Sequence, residues 1–392
     1  MDFALSEDQI AIRDMARGFS ADRLAPNAAE WDAKSHFPKD VYREAAALGL
    51  AAMYTGDEHG GSGLGRMDAA LVFEALAEGC VTTSAYLSIH NMVSWMIDSF
   101  GSDETRAEYL PALCSMDQFA SYCLTEPGSG SDAASLKTNA TTHGNADYKL
   151  NGGKAFISGG GTSDVYLVMA RTSEDGPKGV SAFLVPKDAN GISFGKTEDK
   201  MGWNSQPTAQ VLLDDCIIPA RNRLGNEGEG FTFAMKGLDG GRINIAACSL
   251  GGAKAAMTAA ANYTSERKQF GQPIADFQMT QSKLADMATE FAACQLMTYR
   301  AAHALDSGDP RVREKSAQAK RFVTDTCWHI VDEALQLHGG YGYIKDYEIE
   351  RMLRDLRVHR ILEGTNEIMR TIIARRILKD VKEGTLAEAF DA

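Results

Sequence analysis

The sequence predicts an α+β multidomain protein with an N-terminal helical domain (residues 1–119), a middle antiparallel β domain (120–230) and a C-terminal α-helical bundle (231–392). Three observations support this prediction. Apolar residues recur at helical spacing up to about residue 118, short β-rich apolar runs follow them, and long alanine-rich segments with helical spacing fill the rest of the chain.

The N-terminal third begins with the signature of a helix start. Ser6 is followed three residues later by Gln9, which together form a capping box, and apolar residues at 12, 15 and 19 continue the helical spacing. Further helical segments are predicted at 70–78 and 83–100, with turns at 57–65. No strand alternation is visible in this third of the sequence.

The middle of the chain has the texture of strands. Short apolar runs at 165–169, 180–185, 211–213 and 216–218 lie between Gly, Asn, Asp and Pro residues, as in an antiparallel sheet. Beyond residue 230 the spacing predicts four long helices at about 231–267, 279–305, 311–338 and 364–382. Glycine and proline separate them, so the helices can fold back on one another as a bundle.

Composition excludes several function classes. A formal net charge of −13 argues against nucleic acid or an anionic membrane as a partner. No apolar run reaches the roughly 20 residues that a membrane span needs. The seven cysteines show no zinc spacing and no paired motif, so we expect reduced core thiols and no metal. With no signal sequence visible, we expect a bacterial cytoplasmic protein or a mature chain of the mitochondrial matrix.

Two segments of the middle domain are candidates for ligand contact. Residues 122–132 are rich in Gly and Ser, which let a backbone approach a flat or charged ligand, although a plain loop has the same composition. The spacing is not that of a dinucleotide fingerprint. Residues 154–159, with Phe156 and Ser158, could flank a planar cofactor or form an ordinary strand.

Two further segments lie in the C-terminal helices. Arg267 follows a long helix and could bind phosphate, or it could be a solvated helix-end cation. Residues 336–342 carry His338 and several glycines, which either end a helix or admit a phosphate.

Glu363 is the candidate general base. It lies between an apolar stretch and Gly364, in the run 361–370 near the C-terminus. The alternative interpretation is an exposed carboxylate at the start of a helix.

Together, in this order and at these separations, the segments resemble the acyl-CoA dehydrogenase family, over essentially the whole chain. That family has an N-terminal helical domain, a middle β domain and a C-terminal four-helix bundle. The stretches 88–92, 95–101, 202–208 and 240–246 resemble the subgroup that acts on isobutyryl-CoA.

The resemblance implies FAD as cofactor and assigns its contacts residue by residue. The FAD positions are Tyr122, Leu124, Thr125, Gly130, Ser131, Phe156, Ile157, Ser158, Arg267, Phe277, Gln278, Gln336, Leu337, His338, Gly339, Gly340, Thr365, Asn366 and Glu367. The substrate positions are Ser131, Asp239, Gly240, Gly241, Arg242, Leu362, Gly364 and Arg375. Arg267 and the segment 336–340 are expected to reach the FAD of a neighbouring subunit, which implies a homotetramer built as a dimer of dimers.

The resemblance also implies the chemistry. Glu363 would take the α-proton of an acyl-CoA thioester while the β-hydrogen leaves as hydride to flavin N5, and an electron-transferring flavoprotein would accept the electrons. Some members carry the base just before the arginine that corresponds to Arg242, but Gly241 stands there in this chain. Leu362 replaces a tyrosine of straight-chain relatives and favours a short branched substrate, isobutyryl-CoA, which would give methacrylyl-CoA in valine catabolism.

Three alternatives remain open from the sequence. The substrate could be 2-methylbutyryl-CoA or a short straight-chain acyl-CoA, because a methylene in an apolar pocket discriminates by only about 1–3 kcal/mol. The protein could be an acyl-CoA oxidase that reduces O₂. It could also be a non-catalytic scaffold on the same fold, although it keeps both the base and the flavin segments.

Overall fold

The computed structural model describes residues 4–144 and 147–387. Its helices are α1 Glu7–Phe19, α2 Ala28–Lys34, α3 Lys39–Ala47, α4 Arg66–Gly79, α5 Val81–Phe100, α6 Asp103–Cys114, α7 Gly230–Glu266, α8 Gln278–Asp306, α9 Val312–His338, α10 Ile349–Arg357 and α11 Asn366–Glu383. Its strands are β1 Ala120–Cys123, β2 Asn139–His143, β3 Asp147–Ser158, β4 Val165–Arg171, β5 Val180–Pro186, β6 Ile192–Phe194, β7 Thr208–Ile218, β8 Arg223–Leu224, β9 Lys268–Gln269 and β10 Gln272–Pro273.

The helix predictions agree closely with these bounds. The Ser6 hydroxyl accepts a hydrogen bond from the Gln9 N–H, and Oε1 of Gln9 accepts one from the Ser6 N–H, so the predicted capping box begins α1. The four long C-terminal segments correspond to α7, α8, α9 and α11. The short helix α10 was not predicted, because it has nine residues and no side-chain cap at Glu348, whose backbone is left-handed.

The chain forms two compact units. Unit one comprises the described residues of Met1–Ala29, Arg66–Ser84 and Arg242–Ala392, and unit two comprises Glu30–Gly65 and Ala85–Gly241. In unit one, α8, α10 and α11 all pack on α9, and α4 packs on both α1 and α8. Over residues 4–144 and 147–387, no helix has the length and apolar character that crossing a membrane would require.

Helix α7 approaches α4 very closely inside unit one. A Cβ at Gly251 would lie 2.1 Å from the carbonyl oxygen of Glu74, and one at Gly252 would lie 2.6 Å from a methyl group of Leu356 on α10. These contacts leave no space for a side chain. The seven cysteines are free and buried, as the sequence predicts for core thiols.

Unit two is built around one sheet with the strand order β6-β7-β3-β2-β4-β5-β8. Its pairings are largely antiparallel, as predicted, but β4 pairs in parallel with β1 and, at one residue, with β2. Alternate residues of β4 enter two cores: Leu167 and Met169 join the helices α5 and α6, whereas Tyr166 and Val168 pack on the opposite face. Burial on both faces explains the unbroken apolar runs in β4 and β5.

Candidate active site

Glu363 lies in a turn between the short helix Val358–Arg360 and α11. Glu363 and the following Gly364 both have left-handed backbone, with φ of 56° and 89°. That conformation is unfavourable for a residue with a Cβ. The next residue, Thr365, caps α11, because its Oγ1 accepts a hydrogen bond from the Ile368 N–H at 3.3 Å. The turn therefore depends on surrounding contacts for its conformation.

Two buried cations bind consecutive carbonyl groups of this turn. Arg242 of α7 donates from Nε to the Glu363 carbonyl oxygen at 3.2 Å. Lys320 of α9 donates from Nζ to the Gly364 carbonyl oxygen at 2.7 Å and to Oδ1 of Asn366 at 2.8 Å. The two side chains thus fix the carbonyl groups on either side of the Gly364 Cα, directly after Glu363, and bring positive charge near the Glu363 carboxylate.

The Glu363 carboxylate has the properties of a base. Its Oε2 is inaccessible to solvent and has no hydrogen-bond partner among the described residues, although the residue as a whole is half-buried. Burial raises the pKa of Glu363 to about 7, against the opposing effect of the Arg242 and Lys320 charges. A carboxylate with a pKa near neutral pH can both accept and release a proton.

The first turn of α11 carries three predicted FAD positions with different environments. The side chain of Asn366 is buried, accepts from Lys320 and donates to Oδ1 of Asp325 at 2.8 Å. Glu367 is largely exposed. The side chain of Asn366 is therefore engaged within unit one, whereas Thr365 and Glu367 lie at the helix start.

The remaining predicted substrate positions near this turn differ in exposure. Leu362 is half-buried, immediately before Glu363, and Arg375 is exposed on α11. No ion pair of Arg375 occurs within the part of the chain that the structure describes.

A pocket of about 490 Å³ in unit one is lined by Arg267 and by 336–340, two of the predicted FAD segments. The Arg267 guanidinium lies 5.5 Å from the ring centre of Tyr341. His338 stacks on Tyr263 with ring centres 4.5 Å apart, and its Nδ1 lies 2.7 Å from the Ala334 carbonyl oxygen. Hypothetical Cβ atoms on Gly339 and Gly340 would meet nothing within 4 Å. The glycines thus leave room for a ligand beside a cation.

Phe277 and Gln278 lie next to this region but outside the pocket lining. Phe277 immediately precedes α8, and Gln278 is its first residue. The Phe277 ring meets that of Phe270 edge-on at 6.2 Å.

In unit two, a buried ion pair shapes the loop after β1. Nζ of Lys154 donates to Oε1 of Glu126 at 2.8 Å and to the Leu124 carbonyl oxygen at 3.1 Å. The Glu126 carboxylate also accepts from the backbone N–H groups of Lys137 (2.7 Å) and Thr138 (2.9 Å). One buried carboxylate therefore ties both ends of the segment 124–138 to strand β3.

The Phe156–Ser158 segment lies where β3 departs from regular pairing. The register with β7 shifts between Lys154 and Ile157, and Phe156 takes a left-handed backbone with φ of 59°. As a result Ile157 is buried while the Phe156 ring is 70% exposed. An exposed aromatic ring on a strained backbone points to a ligand-contact position.

The two predicted cofactor segments of unit two lie side by side. The Ala155 N–H donates to the Thr125 carbonyl oxygen at 2.9 Å, which joins the loop to β3. Ser158 is held from both sides: Ser121 Oγ donates to its carbonyl oxygen at 2.5 Å, and Nε2 of Gln206 donates to its hydroxyl at 3.2 Å.

The predicted residues divide between the two units. Unit one holds Glu363 and its turn, Arg242, the pocket and α11. Unit two holds Tyr122, Leu124, Gly130, Ser131 and the Phe156–Ser158 segment, together with Asp239, Gly240 and Gly241. Hypothetical Cβ atoms on Gly128 and Gly130 would meet nothing within 4 Å, so the loop between them presents bare backbone.

Sequence reasoning missed the residues that support these segments, chiefly Lys154, Lys320 and Glu126. A signal for Lys320 was present. On α9 it falls on the buried stripe formed by Ala317, Thr324 and Cys327, where a charged residue is unusual.

Comparison with known proteins identifies the family. Three family models match: the acyl-CoA dehydrogenase N-terminal domain at residues 6–117, the middle domain at 121–216 and the C-terminal domain at 228–378. The mitochondrial isobutyryl-CoA dehydrogenases of Dictyostelium discoideum and Bos taurus are 54% and 53% identical, each match covering 96% of this chain and 90% of the relative. The structure of butyryl-CoA dehydrogenase from Megasphaera elsdenii has a TM-score of 0.93 at 36% identity, covering 96% of this chain and 100% of that one.

The likeness extends over all three family domains, so the helical, β and helical parts are those of the family fold. The chain therefore belongs to the acyl-CoA dehydrogenase family and is an FAD-dependent oxidoreductase.

Proposed function

We propose that this protein dehydrogenates a short branched acyl-CoA, with isobutyryl-CoA as its substrate and methacrylyl-CoA as its product, and that Glu363 is the general base. The observation that carries the proposal is the buried Glu363 carboxylate, whose Oε2 has no partner in the described chain and whose pKa is raised to about 7. The branched substrate is supported by the 54% and 53% identity to isobutyryl-CoA dehydrogenases.

The base must remove a proton from carbon next to a thioester carbonyl. That C–H is a very weak acid, so the carboxylate has to be ionised, dry and fixed in direction. The unpartnered Oε2 provides the acceptor, and the Arg242 and Lys320 contacts fix the backbone that carries it. Gly241 has no side chain that could act as a base. The alternative base position of other family members therefore cannot serve that role here.

The residues of unit two fit a flat cofactor. Phe156 presents an exposed ring, and Gly128 and Gly130 leave bare backbone in the adjoining loop. Bound FAD would accept the β-hydrogen as hydride. In this proposal the loop 122–131 and Phe156–Ser158 hold the flavin end of one FAD, while the glycine-lined pocket of Arg267 and residues 336–340 receives a phosphate-bearing end of the FAD of a neighbouring subunit.

Substrate shape is proposed to depend on Leu362. Leu362 is half-buried and directly precedes Glu363, the proposed base, in the sequence. An apolar, non-planar side chain leaves more room for a branch at the α-carbon than a tyrosine does. Asp239, Arg242 and Arg375 remain proposed substrate contacts on the strength of the resemblance.

We further infer a dimer of dimers that passes electrons to an electron-transferring flavoprotein. Large apolar residues near the Arg267 pocket are almost fully exposed, among them Phe270 (95%) and Tyr343 (84%), as expected of a surface that another copy covers. Sedimentation equilibrium should give the mass of four chains. A monomer that keeps FAD would refute this assembly.

The substrate assignment has a direct test. The purified FAD-loaded protein is titrated without oxygen with isobutyryl-, 2-methylbutyryl-, butyryl- and isovaleryl-CoA, and bleaching of the flavin absorbance is followed. Isobutyryl-CoA should give the largest rate constant. Equal or faster bleaching with butyryl-CoA would contradict the branched-chain assignment, and rapid reoxidation by air alone would indicate an oxidase instead. Failure to hold FAD at all would favour the scaffold alternative.

A further inference from the structure

We propose that Lys320 is a positioning residue for the reaction: it locks the turn that presents Glu363 and supplies the positive charge that keeps this carboxylate ionised. This inference rests on the proposed role of Glu363 as the base. Lys320 itself binds backbone and amide oxygens of the turn and takes no part in the transfer of the proton from the substrate to Glu363.

Lys320 restrains the turn through two hydrogen bonds. Its side chain is fully buried on α9, and its ammonium group makes two hydrogen bonds, to the Gly364 carbonyl oxygen (2.7 Å) and to Oδ1 of Asn366 (2.8 Å). These two acceptors lie on either side of Thr365, the cap of α11. One rigid cation thus joins the turn to the helix start.

The turn needs this restraint because its backbone conformation is not intrinsically favoured. Glu363 has φ of 56°, which L-residues rarely adopt. Gly364 has φ of 89°, and a Cβ there would lie 2.7 Å from Cε of Met369. If Lys320 were removed, a buried carbonyl group and a buried amide oxygen would each lose a partner. The turn would then gain access to other conformations that aim the carboxylate differently.

Charge is the second part of the role. The groups that face the Lys320 ammonium are Glu363 in the turn, Arg242 on α7, Asp325 on its own helix, Glu367 on α11 and His359 on the preceding short helix. His359 is neutral, because burial and the Lys320 charge lower its pKa to about 3. Burial lowers the pKa of Lys320 to about 7, while the Glu363 charge acts to raise it. Each of the two ionised forms therefore favours the other.

Loss of the Lys320 charge has a signed consequence. A cation near a carboxylate favours its ionised form, so removal of the cation raises the pKa of Glu363. The reduction rate falls at low pH as the base becomes protonated, and this low-pH limb of the rate profile then moves to higher pH. A residue that only fills the core would lower stability without moving that limb.

The test compares Lys320→Met and Lys320→Gln with the wild-type enzyme. Glutamine keeps one donor for the turn but has no charge. Flavin reduction by isobutyryl-CoA is measured by anaerobic stopped flow across pH, flavin content by absorbance, and amide hydrogen exchange over residues 363–369 by mass spectrometry. Lys379→Met is the control, because Lys379 is exposed on α11 and its ion-pair partner among the described residues is the exposed Glu383.

We expect both variants to bind FAD and to show a limb at higher pH, with the methionine variant reduced about tenfold to a hundredfold more slowly at pH 7. Exchange in the turn should be faster in Lys320→Met than in Lys320→Gln, and the control should match wild type. An unmoved limb in a folded variant, or failure of both variants to fold, would overturn the proposal.

The proposed base has a separate readout. If Glu363→Gln left reduction intact, the assignment of Glu363 would fail, whatever Lys320 does. If Glu363→Gln abolished reduction while Lys320→Met left its pH profile unchanged, only the role of Lys320 would fail.

Discussion

Two buried carboxylates, each near a buried lysine, have opposite acid–base properties in this protein. In unit two, Nζ of Lys154 lies 2.8 Å from Oε1 of Glu126, and two backbone N–H groups also bind that carboxylate. In unit one, Lys320 binds the Gly364 carbonyl oxygen, and Oε2 of Glu363 has no hydrogen-bond partner in the described chain.

The pKa values follow from this difference in contact. Burial by itself acts to raise the pKa of both carboxyl groups. At Glu126 the Lys154 charge and the hydrogen bonds outweigh burial, so its pKa falls below the usual value. At Glu363 no hydrogen bond from the described residues opposes burial, the Arg242 and Lys320 charges oppose it only in part, and its pKa rises to about 7. A satisfied carboxylate holds a loop together, whereas an unsatisfied one remains available for a proton.

Replacement of Glu363 by glutamine should have the largest effect. Glu363→Gln keeps the shape of the side chain but removes the basic carboxylate, so flavin reduction by isobutyryl-CoA should slow by about 10²- to 10⁴-fold. FAD content and acyl-CoA binding should be unchanged, as measured by absorbance and by equilibrium titration. Glu383→Gln, at the opposite end of α11 and exposed, should retain near-normal reduction. Substantial reduction by the Glu363 variant would place the base elsewhere.

Breaking the satisfied pair should instead cost stability. Lys154→Met leaves the Glu126 carboxylate buried without its cation and should lower the free energy of unfolding by about 3–5 kcal/mol. Denaturant melts with flavin content as a second readout would measure this loss. The matched control on the same strand is Lys149→Met, whose pair with Asp215 is largely exposed, so its loss should leave the free energy of unfolding nearly unchanged. Equal losses in the two variants would mean that burial of the first pair is not what matters.

The difference also predicts the pH dependence of the reaction. Because Glu363, as the proposed base, must be ionised to accept a proton, the reduction rate should rise with pH through about 7, and well below that value it should fall about tenfold per pH unit. Stopped-flow reduction in buffers of constant ionic strength measures the limb. A limb near the ordinary carboxyl value of 4.5 would show that the base is solvated rather than dry.

The sequence predicts the fold because the buried faces of helices and strands carry apolar residues at positions that the element type sets. The unbroken apolar run of β4 and the helical spacing in α7, α8, α9 and α11 follow from which faces are covered. Parallel pairing of β1 with β4 is not visible in the sequence, since the same apolar run suits either direction. Whether two strands pair in parallel or antiparallel depends on the path of the chain between them, which no local sequence pattern indicates.

The candidate site was predicted less completely, for a related reason. Motif likeness identifies Glu363, Phe156 and the pocket segments, but it does not reveal the left-handed backbone at Glu363 and Phe156, which depends on surrounding contacts. The supporting lysines were missed because a lone lysine is ordinarily exposed. Position on the buried stripe of α9 distinguishes Lys320, and only once the apolar residues around it are counted.

The smallest effect should come from the neighbour of the base. Leu362→Tyr places a flat, larger ring one residue before Glu363, where it would occupy space that the α-methyl branch needs. The ratio of kcat/KM for isobutyryl-CoA to that for butyryl-CoA should fall about tenfold, the scale expected for one methyl group in an apolar pocket. Ile361→Tyr is the matched control, because Ile361 is exposed and the same ring there would extend into solvent. If both variants shifted the ratio equally, the general conformation of the turn would set substrate choice; a shift confined to Leu362→Tyr would tie acyl-chain shape to this side chain.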